Sequence, residues 1–307
     1  MRFVPLFISL VVFCTSALPA FAVEARLKVV ATFSIVADLT RQIAGDEIDL
    51  VTLVGAGADA HSYEPTPEAQ RAVSGASLIV ANGLGFEPWL DRLTEAAGFK
   101  GKVIVATRGI EPLAWAEEGH GEGEEAGDDH DHDAVDPHAF QDPKLVLTYI
   151  DNIEAGLAIA DPANATTFAT NAESLKAKYV KLNSDLDASL GALPRESKRI
   201  LTSHDAFQYF GHAYGIEFVG VQGVSTDSEP SAQDLKEIVR QIKEGGIKAL
   251  FVENMSDPRF LETISADTGV AIGGELYSDS LSDESGPAQD LLSLFRHNQS
   301  ELLKVLK

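Results

Sequence analysis

The run from Glu117 to His138, EEGHGEGEEAGDDHDHDAVDPH, places His120, His130, His132 and His138 among ten carboxylates, with glycines between them. Imidazole nitrogens and carboxylate oxygens at such density are what a divalent transition metal seeks. With no apolar residues to bury and strong like-charge repulsion, the first twenty positions are expected to form a mobile loop whose role lies in its side chains. A solvated acidic linker is the bland alternative.

A second, dispersed set of candidate ligands begins where that run ends. His61 lies in the loop GAGADAHSYEPTP, His138 closes the acidic run, His204 ends the segment ILTSH, and Asp279 lies in ELYSDS. Separations of dozens of residues carry no local spacing signature, and a single histidine at a strand end is ordinarily a satisfied structural one. The joint pattern is what matters: three histidines and a carboxylate, all at loop positions, one of them adjoining the acidic run.

The elements that must position these residues read as alternating strands and helices. LKVVATF from Leu27 is a buried strand, and Ser34 caps a helix through Ile43. Strands follow at Ile48 to Val54, Ser77 to Ala81 and Lys102 to Ala106, with helices from Pro67 and from Phe86 to Ala97. Asp142-Pro143 opens a helix to Ile159. Asp161-Pro162 repeats that signal and opens a longer one, whose stripe Phe168, Ala172, Leu175, Tyr179, Leu182, Leu186, Leu190 runs on to Gly191 and Pro194. At 1.5 Å per residue it would span roughly 43 Å, enough for a rigid strut between two lobes.

Beyond it, strands are expected at Arg199 to Ser203, Glu217 to Gly220, Lys248 to Val252 and Val270 to Gly273. Helices are expected after Asp205, from a capping box at Ser231 and Asp234, over Pro258 to Asp267, and from Pro287 to Leu306. The fold class is therefore α/β: two lobes with parallel sheets joined by one long rigid helix. The division runs 1–22 signal peptide, 23–160 first lobe with the acidic loop at 117–136, 161–192 linking helix, and 193–307 second lobe. Ligands of open α/β sheets gather at the carboxyl ends of strands, so two candidates from each lobe would clamp an ion across the cleft.

The first residues set the address. Arg2, an apolar run from Val4 to Val12 and the small-residue ending at Ala22 form a secretory signal with cleavage near Ala22. The one cysteine, Cys14, lies inside it and follows Phe13, where a lipoprotein signal wants a small residue, so no membrane anchor is expected. About 285 residues would remain, enough for two lobes. The formal charge of −23 becomes one unit more negative without Arg2. Nucleic acid and anionic lipid are excluded as partners of such a surface, and a cation suits it.

Four strings carry a family likeness: DAHSYEPTP at Asp59, DPHAFQDP at Asp136, SHDAFQYFGHAYGIE at Ser203 and GVSTDSEPSAQDL at Gly223. Together they resemble the periplasmic solute-binding proteins of zinc and manganese ABC transporters, over the whole chain beyond the signal. The resemblance implies a metal held between two α/β lobes by His61, His138, His204 and Asp279, and delivery to an ABC permease in the inner membrane. Manganese-type members usually carry a glutamate where His204 stands, so zinc is favoured. Three imidazoles and one carboxylate also fill a tetrahedral zinc without an open position for a substrate, which suits a carrier rather than a catalyst, and no HExxH is present.

The resemblance further implies that His120, His130 and His132 capture zinc and pass it inward. A manganese or iron receptor of the same fold, a periplasmic zinc buffer and a zinc hydrolase are the other readings. A periplasmic zinc metallochaperone is a further candidate partner, and nothing demands more than a monomer. His212 is read as structural, His297 as solvated, and Glu253 and Glu229-Pro230 as lining the cleft or supporting its ligands from behind. Metal binding is expected to weaken as pH falls through the histidine range near ~6.5.

Overall fold

A computed structural model describes residues 26–114, 135–194, 198–222, 226 and 232–307. The signal segment, His120, His130, His132, Glu229-Pro230 and Ser231 lie outside the described residues. Extended apolar runs give eight strands among those described, in two four-stranded sheets with every pairing parallel. The first holds β1 (Leu27–Phe33), β2 (Ile48–Val54), β3 (Leu78–Ala81) and β4 (Lys102–Val105) in the order β2-β1-β3-β4. The second holds β5 (Arg199–His204), β6 (Glu217–Gln222), β7 (Ala249–Glu253) and β8 (Ile272–Leu276) in the order β6-β5-β7-β8, the same plan again.

Parallel pairing requires crossovers, and helices supply them. In chain order they are α1 (Ser34–Ala44), α2 (Pro67–Gly75), α3 (Leu90–Ala96), α4 (Pro143–Ala160), α5 (Ala165–Leu190), α6 (Gln208–Tyr214), α7 (Ala232–Gly245), α8 (Arg259–Thr268) and α9 (Leu291–Leu306). α4 and α5 stand between the two sheets in sequence. All seven residues of the α5 stripe are buried. At 1.5 Å per residue its 26 residues span roughly 39 Å. The helix packs on α4 and α1 at one side and on α6 and α9 at the other.

One apolar core runs through both lobes, joining Phe33, Ile35 and Leu157 to Tyr179, Phe207, Leu276 and Phe295. A smaller core, around Leu201, Leu250, Ile242 and Leu261, serves the second sheet alone. Separating the lobes widely would expose part of the shared core to water, which the hydrophobic effect opposes. Among the described residues no helix is long and apolar enough to cross a membrane.

Several element ends differ from the sequence expectation, each for a local reason. Ser34 is the first residue of α1 and not its cap; its Oγ accepts the N–H of Leu281 from the other lobe. Asp161 and Pro162 do not open α5. The Asp161 N–H closes α4 on the Leu157 carbonyl, and its carboxylate takes the Asn164 amide before α5 begins. α3 starts four residues later than Phe86, because residues 83–90 form hydrogen-bonded turns that send Phe86 inward. Asp205 accepts Gly220 N–H at 2.9 Å instead of capping α6. β8 lies two residues further on than expected, and α9 begins at Leu291, where Asp290 and Ser293 form a capping box.

Candidate metal centre

His61 and His138 face each other from two loops built in the same way. In Asp59-Ala60-His61 the Asp59 Oδ1 accepts the His61 N–H at 2.8 Å, and in Asp136-Pro137-His138 the Asp136 Oδ1 accepts the His138 N–H at 2.9 Å. Each is an Asx turn, which fixes the loop without a helix or strand. Trp89 Nε1 donates to the Ala60 carbonyl and Asn82 Nδ2 to the Pro137 carbonyl, so both loops are also tied to the turn after β3. Glu87 anchors that turn, accepting from Thr32 Oγ1 at 2.6 Å and from the N–H groups of Asn82 and Gly83. Burial raises the Glu87 pKa, and those hydrogen bonds oppose it.

From the second lobe come His204, the last residue of β5, and Asp279, three residues beyond β8. The four side chains meet, with one potential ligand atom from each within 4.8 Å of the others. His61 Nε2 is 3.2 Å from His138 Nε2 and 3.2 Å from Asp279 Oδ2. His204 Nε2 lies 3.1 Å from Asp279 Oδ2, and His138 Nε2 lies 3.5 Å from Asp279 Oδ1. Tetrahedral bonds of 2.0–2.1 Å place neighbouring ligand atoms roughly 3.3 Å apart, close to these four separations. Asp279 Oδ1 is buried with no hydrogen-bond partner among the described residues, an atom free to ligate.

Carboxylates stand behind two of the rings. His138 Nδ1 is 2.8 Å from Asp136 Oδ1, and His204 Nδ1 is 2.6 Å from Glu253 Oε2. Each such contact fixes a ring's orientation and tautomer and leaves Nε2 to face the cluster. Glu253, expected to line the cleft or to back one of its ligands, stands behind His204. Asp136 was seen as one charge of the acidic run, although the repeated Asp-x-His spacing at positions 59–61 and 136–138 signalled its role. Phe33, Phe86 and Phe140 pack on one another, and Phe86 stands edge-on to both His61 and His138, giving the centre an apolar wall.

The electrostatics follow from burying this much charge. Burial disfavours a charged ring at His138, but Asp279 and Asp136 outweigh it and raise its pKa to about 9. At His204 burial is likewise overcome, by Glu253 and Asp279, and the pKa rises well above the ordinary value. Burial alone would push Asp279 up; His138 and His204 hold it well below the carboxylate range. Without a cation the cluster therefore holds protons that a metal must displace.

The other two described histidines stand apart. His212 is exposed in the last turn of α6. His297 Nε2 lies 3.0 Å from the Glu275 carbonyl and its ring meets Tyr277 edge-on, so it is held rather than merely solvated.

Residues 29–305 match the family described as zinc-uptake complex component A, periplasmic. The manganese-binding lipoprotein MntA of Halalkalibacterium halodurans is 33% identical over 272 residues, covering 89% of this chain and 86% of its own. The iron ABC transporter substrate-binding lipoprotein MtsA of Streptococcus pyogenes is 32% identical, covering 97% and 94%. Among solved structures, the periplasmic zinc-binding protein TroA of Treponema pallidum superposes with a TM-score of 0.83 at 28% identity, over 92% of this chain and 99% of its own. A two-lobed parallel α/β frame and a match along nearly its whole length have one consequence: this chain belongs to the zinc-uptake component A family, extracytoplasmic substrate-binding proteins that hand a divalent metal to the membrane permease of an ABC transporter and are not enzymes.

Proposed function

We propose that the metal is zinc, held by His61, His138, His204 and Asp279 between the lobes and carried to the permease for import. The observation that carries this reading is the ligand set: three imidazoles and a carboxylate, all buried, with a ligand atom from each within 4.8 Å of the others. Imidazole nitrogen suits zinc, whereas manganese prefers more oxygen. A second reading, a manganese or iron receptor, is favoured by the orientation of Asp279. Both of its oxygens turn toward the rings, so a bidentate carboxylate offers a larger ion a fifth contact.

The deciding experiment is the stoichiometry and affinity of zinc and manganese on the purified secreted chain, beside His204→Ala and a version lacking residues 117–133. The zinc reading requires one tight zinc that outcompetes manganese, survives the loop deletion and is lost in His204→Ala. Tight binding that vanishes with the loop and ignores His204 would make the chain a periplasmic zinc buffer.

The same reading assigns His120, His130 and His132 to a capture loop, where tethering raises zinc to roughly millimolar local concentration. Deleting the loop then slows loading and leaves the final affinity intact. It also assigns cleavage after Ala22, which leaves a periplasmic, unanchored monomer, in contrast to relatives named as lipoproteins; the mass of the secreted protein tests this. A metallochaperone that feeds the loop, and the boundaries 23–160, 161–192 and 193–307, belong to the same proposal.

A further inference from the structure

The four side chains of the centre are almost closed to water: His138 and His204 are fully buried, Asp279 is 1% exposed and His61 4%. His61 is the most exposed of the four. Beside the His61 loop lies a cavity of about 200 Å³, its polar wall formed by Asp59, Ser203, Gln222, Thr226, Ser256 and Asp257. It opens at the carboxyl ends of β5, β6 and β7, the crevice where open parallel sheets take their ligands. Two of its residues adjoin the centre in sequence. Ser203 precedes His204, and Asp59 holds the His61 N–H. Asp59 also spans the lobes, since its Oδ2 accepts from Ser62 Oγ at 2.8 Å and from Thr226 Oγ1 at 2.5 Å.

Size and lining indicate what the cavity takes. A free divalent ion carries about six waters, which fill roughly 180 Å³ at the density of the liquid. The cavity has room for the hydrated ion. Carboxylates and hydroxyls accept hydrogen bonds from coordinated waters without replacing them; Asp257 is paired with Arg259, so Asp59 is the carboxylate that favours a cation over an anion.

We infer that the cavity is an antechamber, in which a hydrated divalent cation docks through its water shell and exchanges waters for imidazoles as it moves past Asp59 to His61. The displaced waters return to solvent by the same opening. The assignment rests on the receptor reading, and the two fail differently. An antechamber lies between the free and bound states, so obstructing it changes the rates of entry and exit and leaves their ratio unchanged.

Ser256, on the turn after β7 and remote in sequence from the ligands, is the position to fill. Zinc association is followed by stopped flow on the full secreted chain, release by chelator challenge, and affinity at equilibrium, for Ser256→Leu, Ser256→Phe and Ser256→Trp. Expected is a graded slowing of entry and exit together, reaching about tenfold at Phe with the dissociation constant within about twofold of the parent. Unchanged rates across the series overturn the antechamber, as does a weaker affinity caused by faster release alone. The leucine variant decides if the larger ones do not fold. A parent chain with no tight site for zinc, manganese or iron overturns the receptor reading itself.

Discussion

The carboxylate of Glu253 grips His204 twice, with Oε2 2.6 Å from the ring Nδ1 and Oε1 accepting the main-chain N–H at 2.8 Å. One side chain at the end of β7 thus sets both the backbone and the ring of a residue at the end of the neighbouring β5. Asp136 does the same for His138, from only two residues away.

Replacing Glu253 with glutamine keeps an acceptor for the N–H but removes the charge behind the ring. Zinc affinity is expected to fall about 10- to 100-fold, as is typical when a carboxylate behind a ligating histidine is lost. Isothermal titration against a competing chelator reads this directly. An unchanged affinity would mean that Glu253 only holds β5 to β7.

Losing a ligand should cost more than losing its support. His138→Ala and Asp279→Ala are each expected to weaken zinc binding by more than about 100-fold and to abolish the rise in melting temperature that zinc gives the parent protein, since bound metal stabilises by mass action. Asp136→Asn, by the argument used for Glu253, should fall between those variants and the parent. A thermal-shift series with and without zinc orders them.

Proton competition should extend to higher pH than ordinary histidines would allow. Against the effect of burial, the carboxylates beside His138 raise it to about 9 and those beside His204 raise it above the ordinary histidine value, so protons compete for both rings above the usual range. A ring must lose its proton to ligate, so zinc affinity should climb with pH through neutrality toward about 9, and at pH 7 each zinc should release at least one proton. Titration in buffers of different ionisation enthalpy counts those protons. For the metal-free protein the sign is opposite: a raised histidine pKa contributes stability that is complete below about 6.5 and is lost as pH rises through about 9.

Asp38 on α1 accepts the N–H of Leu291, the first residue of α9, at 3.0 Å, and Gln42 bonds both of its oxygens. Burial, only partly offset by these bonds, raises its pKa to about 6. Between 3.8 and about 6 the native state binds more protons here than the unfolded chain, so this carboxyl makes stability fall as pH rises through that window, by about 3 kcal/mol. Asp38→Asn should remove that slope and be the more stable form at pH 7, as urea unfolding at pH 4 and pH 7 would show. A parallel loss at both pH values would mean that the bond to Leu291 outweighs the charge.

Much of this was legible in the chain because it is local. Strand and helix periods, the Asp142 cap of α4 and the buried α5 stripe each depend on residues a few positions apart, and the structure follows them. The elements that moved did so where a side chain had a distant partner: Ser34 bonded to Leu281, Asp205 to Gly220, and Phe86 was turned against two histidines. The types of the four candidate ligands were present in the sequence as well, carried by loop position and by family motif. Their convergence was not, because His61 and Asp279 are more than 200 residues apart and nothing in a linear pattern reports a distance of 3.2 Å. Only packing both sheets on one core and α5 determined which carboxylate backs which ring and which nitrogen faces the cluster.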